Sequence, residues 1–566
     1  MRQVLENPFY YLNNFRQLAN WIYQRYHDLL SPEELQFIAQ LTELPQASQA
    51  LFVRMVIRKG SLFRAGKLHY DEIGDVQKAV TPLLALGWVE RDPSIDIDQL
   101  FDLLQKSDIA LVFSLSASEK ALRKPAQLEI LRWRLPGQSS QELTQDTGQE
   151  DSVFTQRFSA WHPASDEPVY QILNQDLCDR LRLMFFGNFH QDWSEFVLSD
   201  LGIYRYEQVN FSLASRAFGN RRDVDDYIAL QRCRELFFND APVADVLQEL
   251  AQCSMGNDWL RGRREKFLFQ IGQQLEKTKD WETAFTVYSG CNYPGARLRS
   301  IRVLEKSDRS EAAFALLREA QEAPENDAES QQLLRIAPRL NRKLGMVKIP
   351  AIRAATVLQI DLSLPFPAEA FFVEGVVRDH LTQPDAPVYY VENTLINSLF
   401  GLLCWEAIFT PLPGAFFHPF HRGPVDLYSA DFRQRRAPEF AASMAALDSG
   451  HYRDRIRQTY AEKYGIQSPF VVWNVLTEEL LELALSCVPA QHLKLAFERI
   501  LLDIKSNRNG FPDLIQFWPA ENRYCMMEVK GPGDRLQDNQ KRWIDYCAGH
   551  QMPLTVCYVQ WCESSP

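Results

Sequence analysis

The chain has 566 residues, a formal net charge of −12 at pH 7 and 46% hydrophobic residues, 12% of the total being aromatic. That length exceeds what one core organises and predicts roughly three or four domains of about 150 residues, while the composition excludes a disordered or fibrous chain. The acidic balance excludes generic coating of nucleic acid, which rests on phosphate neutralisation by Lys and Arg, so any such contact must use local basic patches.

Residues 1–92 read as short helices, then LFVRMVIRKGSLFRAGKLHYDEI as a basic strand-like segment, then VQKAVTPLLALGWVERD as a helix ending in GWVE. This order predicts a winged-helix-like DNA-binding domain, with Arg54, Arg58, Lys59, Arg64 and Lys67 in an acid-free run that can face a duplex. Residues 93–137 read as two or three short amphipathic helices with Lys120, Arg123 and Lys124 on their later part. They look like a SAP-type DNA-binding segment, a helical linker being the other reading. Polar residues 138–152 predict a linker.

From 153 to 345 the chain is predicted to be helical. LEKTKDWETAF, starting at Leu275, recurs as LEKSDRSEAAF from Leu304, so TPR-like helical repeats stacked as a solenoid are expected. The same region holds Arg232, Arg234, Arg261, Arg263, Arg264 and Lys266. Clustered guanidinium groups repel unless an anion joins them, which points to a phosphate-binding pocket; pairing with Glu235 and Glu265 on an ordinary surface is the alternative. A further basic run, Arg422, Arg433, Arg435 and Arg436, reads as a local patch for nucleic acid or as a solvated basic face on an acidic protein.

Chemistry concentrates in residues 346–566, with a core at 385–566. FPDLIQFW and RYCMMEVK flank Pro519-Ala520-Glu521-Asn522, a connection with turn chemistry, and so read as a β-hairpin. Centring the turn between Ala520 and Glu521 sets Asp513 opposite Glu528, Ile515 opposite Met526 and Phe517 opposite Tyr524. Opposed carboxylates repel unless something positive lies between them, and a divalent cation is the simplest occupant. Alternation along the strand puts Lys530 on the same face as Glu528. Mg²⁺ or Mn²⁺ takes oxygen ligands, keeps waters and leaves room for phosphate oxygens; it activates a water for attack on phosphorus, while Lys530 orients that water or offsets charge in the transition state. After Gly531-Pro532-Gly533-Asp534 a helix is expected, with Gln540 as a site-facing amide and Trp543 in the core. His418 and His421 lack Cys or His partners at zinc spacing and are expected in packing or phosphate contact.

Pro512-Asp513 with Glu528-x-Lys530 resembles the PD-(D/E)xK nuclease signature. NRNGFPDLIQFW and MEVKGPGDRLQDNQKRWIDY resemble the VRR-NUC nuclease domain, and VYYVENTLINSLFGLLCWEAIF with PGAFFHPFHRGPVDLYSADFRQRR resembles the Fanconi-associated nuclease family. The resemblance implies a multidomain, mainly α chain with a C-terminal α/β restriction-endonuclease-like domain. It adds Glu392 to a catalytic set of Asp513, Glu528 and Lys530, and implies metal ligation by Glu392, Asp513, Glu528 and the Val529 backbone carbonyl, to one ion or two. Glu392 near the start of an apolar helix fits independently, since a carboxylate is favoured there. The implied activity is 5′-flap endonuclease and 5′-to-3′ exonuclease cleavage of branched DNA in interstrand crosslink repair. A four-way-junction resolvase would use the same residues. A non-catalytic DNA-binding scaffold would have lost a member of the set, and none is lost.

Ten scattered cysteines with no Cys-x-x-Cys pair, no signal peptide and no 18-residue apolar run predict reduced thiols in a cytoplasmic protein, with no membrane partner. Nothing supplies the ligands of the ubiquitin-binding zinc finger that animal members of the family carry. The tail-free form suits a bacterial, nucleoid-associated protein; a eukaryotic one would be nuclear. No protein partner is legible.

Overall fold

Apolar residues three and four apart make Tyr10–Tyr26 the first helix, α1, which buries Leu12, Phe15, Leu18, Ile22 and Tyr26 on one face. The computed structural model describes residues 7–134, 154–191, 196, 203–347, 357–367 and 372–562, and the chain divides into two units, Met1–Ile203 and Tyr204–Pro566.

In the first unit, α2 (Pro32–Glu43) starts at a Ser31/Glu34 capping box with Pro at its first turn. It is followed by α3 (Gln46–Ile57), β1 (Leu62–Arg64), α4 (Val76–Ala85) and β2 (Val89–Arg91). LFVRMVI, expected as a strand, is the second half of α3. Leu51, Phe52 and Val53 are all fully buried, and a helix buried on every side shows an unbroken apolar run that periodicity does not separate from a core strand. Next come α5 (Ile97–Leu103), α6 (Lys106–Val112) and α7 (Lys124–Arg132), which share a small core with Phe158 and Trp161. The chain then supplies β3 (Val169–Ile172), the middle strand of a three-stranded sheet, antiparallel to β1 and β2, before α8 (Gln175–Phe186), which packs on α1. The expected start of the helical region at 153 is thereby corrected: a segment about eighty residues downstream of β2 completes the wing sheet. The expected linker at 138–152 lies outside the described residues.

The second unit opens with a series of antiparallel helices: α9 (Arg221–Phe238), α10 (Val243–Gln252), α11 (Asp258–Thr278), α12 (Trp281–Ser289), α13 (Ala296–Lys306), α14 (Ser310–Glu322) and α15 (Asp327–Lys343). From α11 onward each packs on the next. The sequence repeat is structural. Leu275 and Leu304 are buried at helix ends, Lys279 and Asp308 both take left-handed backbone conformations (φ 64° and 59°) that turn the chain, and Ala284 and Ala313 are buried in the following helices.

The nuclease region begins with β4 (Leu358–Pro365), α16 (Val373–Leu381), β5 (Val388–Tyr390) and α17 (Leu395–Leu403). The helices α18 (Ala437–Ser449), α19 (Tyr452–Lys463), α20 (Glu478–Cys487) and α21 (Ala490–Leu502) follow. It closes with β6 (Leu514–Trp518), β7 (Arg523–Lys530), α22 (Asp538–Gly549) and β8 (Leu554–Cys562). The sheet order is β4-β8-β7-β6-β5, with β8 parallel to β4 and β7 and the other pairs antiparallel. Alternation sorts its faces: Ile515, Phe517, Tyr524 and Met526 join Phe400, Phe497 and Trp543 in the large helical core, whereas Leu514, Met527 and Val529 pack with Val377 of α16. Helix α15 is tied to this region by Arg335 on Asp538, Arg542 on Gln331 (2.8 Å) and Arg499 on Asp327 (3.1 Å). Among the described residues no helix is long and apolar enough to cross a membrane.

Candidate active site

The hairpin register is the one the turn chemistry predicts, with Ile515 paired to Met526 and Phe517 to Tyr524. A 3₁₀ turn at Pro519–Glu521 and left-handed Asn522 (φ 49°) make the connection. One step beyond the Leu514–Met527 pair, Asp513 and Glu528 come together, on the face that carries the large core. Both are buried, Glu528 completely and Asp513 at 5% exposure. Asp513 Oδ2 accepts the Val529 backbone N–H at 2.8 Å, which fixes the aspartate against the neighbouring strand. Lys530 Nζ stands 2.8 Å from Glu528 Oε1, yet neither Glu528 oxygen receives a well-directed hydrogen bond.

These placements raise the free energy of the charged forms. Burial, reinforced by the Asp513 charge, pushes the Glu528 carboxyl up to about 8. Burial also pushes Asp513 up to about 6; the Val529 N–H and the Lys530 ammonium oppose that shift, while Glu374 and Glu392 add to it. Burial alone would lower Lys530, but its contact with Glu528 and the Asp513 charge raise it, so the ammonium stays protonated. Two buried carboxylates, Asp513 and Glu528, and two half-buried ones, Glu374 and Glu392, are therefore balanced by the single cation Lys530, which leaves an excess of negative charge.

Glu392 sits in the turn between β5 and α17, not on the helix itself, three residues before Leu395. Its Oε2 accepts the Tyr390 hydroxyl at 2.6 Å and its Oε1 the Asn393 amide at 3.1 Å. Asn393, left-handed at φ 50°, reaches across the fold: its Oδ1 accepts the backbone N–H groups of Gly510 (2.7 Å) and Phe511 (3.1 Å). One side chain thus joins the Glu392 turn to the loop that delivers Asp513. Gly510 is required there, since its φ is +94° and a Cβ would lie 2.7 Å from the Asn539 carbonyl carbon. Glu374, in the first turn of α16, escapes the sequence reading. Its only local signal is an acid in the first turn of an apolar helix, which ordinarily marks a dipole partner.

Gln540 lies at the start of α22, where its side-chain carbonyl accepts the Gln537 N–H at 2.8 Å and closes a capping box. Trp543 is core, donating to Asn507 O at 3.1 Å. The rings of buried His418 and half-buried His421 lie 4.0 Å apart, and desolvation lowers both pKa values, that of His421 to about 3.

The basic runs divide. Arg54 is held by Glu72 at 2.7 Å, and Arg64 by Asp108 and Glu167, each at 2.6 Å, so the acid-free run finds its acids elsewhere in the chain. Arg58 donates to Lys67 O (2.8 Å) and Lys124 to Leu104 O (2.9 Å), while Lys59, Lys67, Lys120 and Arg123 are exposed. On α9 and α11, Arg234 reaches Gln270 (3.4 Å), Arg261 pairs with Asp258 and Arg264 with Glu265 (3.2 Å). Arg263 lies 4.6 Å over the Trp259 ring, its pKa lowered by burial and opposed further by the Arg234 charge. Arg232 and Lys266 are exposed. Arg435 and Arg436 both grip Asp426, and Arg436 is fully buried, so that pair is structural.

The residues fit a divalent ion: two orphaned oxygens on Glu528 and several mutually repelling carboxylates want a cation. Among the described residues no three His, Cys, Asp or Glu side chains close on one point at metal distance. That suits a hard ion whose shell is completed by waters and substrate oxygens better than an all-protein cage. A helix, three antiparallel strands of which the first is parted from the hairpin of the other two by helices α17 to α21, a helix and a parallel strand, with Asp, Glu and Lys on that hairpin, define a nuclease of the PD-(D/E)xK type, a class that uses divalent metal.

Family models match in chain order: "FAN1, HTH domain" over residues 9–90, the Fanconi anemia-associated nuclease SAP domain over 94–161 and the VRR-NUC domain over 448–561. A Fanconi-associated nuclease 1 homolog of Pseudomonas aeruginosa is 54% identical over 558 residues, 99% of this chain and 97% of that protein. One from Schizosaccharomyces pombe is 21% identical, covering 97% and 91%. The chain belongs to the Fanconi-associated nuclease family and is a DNA nuclease. A crystal structure of paFAN1 bound to 2-nt 5′-flap DNA with a gap superposes with a TM-score of 0.89 at 53% identity, covering 100% of both chains. The complex with 1-nt 5′-flap DNA gives 0.87 at 54%, covering 99% and 100%.

Proposed function

We propose that this chain hydrolyses phosphodiesters in branched DNA that bears an unpaired 5′ flap, as endonuclease and 5′-to-3′ exonuclease, in the repair of interstrand crosslinks in a bacterial cell. The observation that carries the catalytic part is the fully buried Glu528, with two unsatisfied oxygens beside Asp513 and a protonated Lys530. The flap substrate is supported by the paFAN1 complexes, which match the whole chain.

Glu392, Asp513, Glu528 and the Val529 carbonyl are the groups that would hold Mg²⁺ or Mn²⁺, one ion or two. A divalent ion bound there supplies Lewis acidity toward the scissile phosphate and a counter-charge for the carboxylates. Asp513, fixed by the Val529 N–H, keeps its second oxygen for that ion. Lys530 acts as a hydrogen-bond donor and positive charge, not as a base, because its ion pair with Glu528 keeps it protonated; it steadies the attacking water or the phosphate oxygens as negative charge grows. Tyr390 and Asn393 orient Glu392.

Arg232, Arg234, Arg261, Arg263, Arg264 and Lys266 form the proposed seat of a terminal 5′ phosphate. Two arginines close enough to oppose each other's charge support it. The exposed Lys59, Lys67, Lys120 and Arg123 are proposed to follow the duplex, with Arg54, Arg58, Arg64 and Lys124 behind them.

Purified protein with Mg²⁺ or Mn²⁺ is expected to cut a labelled 5′-flap duplex near the branch, and to cut it faster than a four-way junction. Asp513→Ala or Lys530→Ala is expected to abolish cutting while DNA binding persists. Variants that cut like the parent would overturn the active-site assignment.

A further inference from the structure

Helix α16 starts on an aromatic ring. Phe372 holds the position before its first turn, where Ser, Thr, Asp or Asn would accept a free backbone N–H, and its side chain caps nothing. The hydrophobic cores of the nuclease region take Val373, Val376 and Val377 from this helix and Tyr389 from β5 but, among the described residues, neither Phe372 nor Tyr390. Phe372 is 51% exposed and Tyr390 37%. The helix thus forgoes a cap and an apolar ring stays in water, and core packing offsets neither.

The ring nevertheless has a seat. A Cβ on Gly375 would lie 2.7 Å from Phe372 Cζ and 2.8 Å from Cε1, so the far edge of the ring occupies the space that a side chain at 375 would fill. Its centroid lies 5.6 Å from that of Tyr390 with the planes at 75°, an edge-to-face pair. Scattered half-exposed aromatics are ordinary on protein surfaces. A ring fitted over a glycine and braced by a second aromatic is held in one pose.

That pose lies at the rim of the carboxylates. The Tyr390 hydroxyl donates to Glu392 Oε2 at 2.6 Å and feels the charges of Asp513 and Glu374. Val373, next to Phe372, lies against the residue that follows Lys530: a Cβ on Gly531 would stand 3.2 Å from a Val373 methyl. Glu374 acts in turn on Asp513. Three consecutive residues at the start of α16 therefore border Tyr390, Gly531 and Asp513.

Inside a duplex both faces of a base are covered by its neighbours. A base beside a branch has one face uncovered, and every base offers a π-face to an aromatic ring, so stacking reads an interruption in the duplex without reading its sequence. An apolar patch of a protein partner would need a contiguous apolar surface to meet. The surroundings of Phe372 are instead charged, with Glu374 two residues on, Glu392 beyond Tyr390 and Lys530 before Gly531.

We infer that Phe372, seated on Gly375 and braced by Tyr390, stacks on the uncovered base of the cut strand next to the scissile phosphate, and so brings a branch, in preference to continuous duplex, to Glu392, Asp513 and Glu528. The inference deepens the nuclease reading above and rests on it. Phe372 is a positioning residue: it touches a base and none of the reacting atoms.

The cut is first mapped on a labelled 5′-flap duplex with Mg²⁺, and the nucleotides on either side of the mapped bond are then replaced one at a time by an abasic residue. Stacking on one base corresponds to about a 5- to 150-fold change. At one of these positions the abasic residue is expected to lower kcat/KM of the parent by a factor in that range. Phe372→Ser should lose a similar factor on the intact flap and nothing more at that position, while abasic residues far from the cut cost both proteins equally. Phe372→Trp should behave as the parent. Serine supplies the missing cap, so Phe372→Ser should melt no more than about 2 °C below the parent in EDTA; a larger fall marks the ring as packing and overturns the inference. Abasic penalties that are equal in parent and Phe372→Ser at every position overturn it as well. A 5-iodouracil placed at the sensitive position and irradiated with Ca²⁺ present should crosslink to Phe372 or Tyr390, read by mass spectrometry; a crosslink elsewhere counts against the stack. A parent that gives the crosslink but never cuts with Mg²⁺ sinks the nuclease reading and leaves the stacked base in place.

Discussion

Glu528→Gln should abolish cutting in Mg²⁺ and, in the metal-free protein, raise stability. The parent carboxyl is fully buried and raised from 4.5 to about 8, so the folded state binds its proton over a window where the unfolded chain has released it. The contribution of this carboxyl to the stability of the metal-free parent is therefore complete below about pH 4.5 and declines as pH rises toward 8. At 1.36 kcal/mol per unit, the part lost by pH 7 is on the order of 3 kcal/mol. Glutamine does not titrate, and losing its contact with Lys530 offsets part of the gain, leaving about 2 kcal/mol at pH 7. Calorimetry in EDTA should show the upper limit of that gain as a rise of roughly 5–8 °C in the transition of the nuclease region, and almost no difference at pH 4.5. A gain that does not grow with pH, or a variant less stable than the parent at pH 8, would refute the picture of a strained, cation-seeking carboxylate.

Asp426→Ala leaves the fully buried Arg436 without its two-pronged partner and should cost about 3–5 kcal/mol, read by urea unfolding. Asn393→Ala removes the acceptor for two backbone N–H groups and a donor to Glu392; flap cleavage should fall about tenfold or more in kcat with little change in KM, and Asn393→Asp should restore the loop but not the donor. Gly510→Ala combines a strained φ with a clash on the backbone of α22 and should cost at least 1–2 kcal/mol by thermal melt, with loss of cutting. Glu374→Gln withdraws one of the charges that raise Asp513, so the Asp513 carboxyl, followed by NMR in the metal-free protein, should titrate at lower pH than the parent's value of about 6.

The hairpin was legible because everything that defines it is local: turn residues at Pro519–Asn522 and strict alternation on both sides fix the register without help from the rest of the chain. The repeat from Leu275 was legible for the same reason, since its turn residues recur with the helices. Strand Val169–Ile172 was not, because its partners lie at Leu62–Arg64 and Val89–Arg91 and its four residues carry no sign of them. LFVRMVI misled because Leu51, Phe52, Val53 and Met55 are buried and only Arg54 marks the polar face that distinguishes a helix. At the site, Asp513, Glu528 and Lys530 share one hairpin, whereas Glu374 enters from a helix about 140 residues before Asp513, and a glutamate in a first helical turn looks alike whether it caps a dipole or crowds a metal site. Charge runs hide their partners: the acids that pair with Arg54 and Arg64, namely Glu72, Asp108 and Glu167, lie outside the run and meet it only in space.

The ties from α15 to the nuclease region have a metric consequence. Arg335 grips the first residue of α22, Arg542 of the same helix donates to Gln331, and Arg499 of α21 pairs with Asp327, so the helical stack ends on the element that follows the strand bearing Glu528 and Lys530. On the proposed function the stack is a ruler with its zero mark at the cut: its length is counted in helix pairs, the DNA proposed to lie on it in nucleotides, and the two scales share an origin. Inserting or deleting one pair should relocate the incision along the strand instead of abolishing it, making incision distance a property of repeat number.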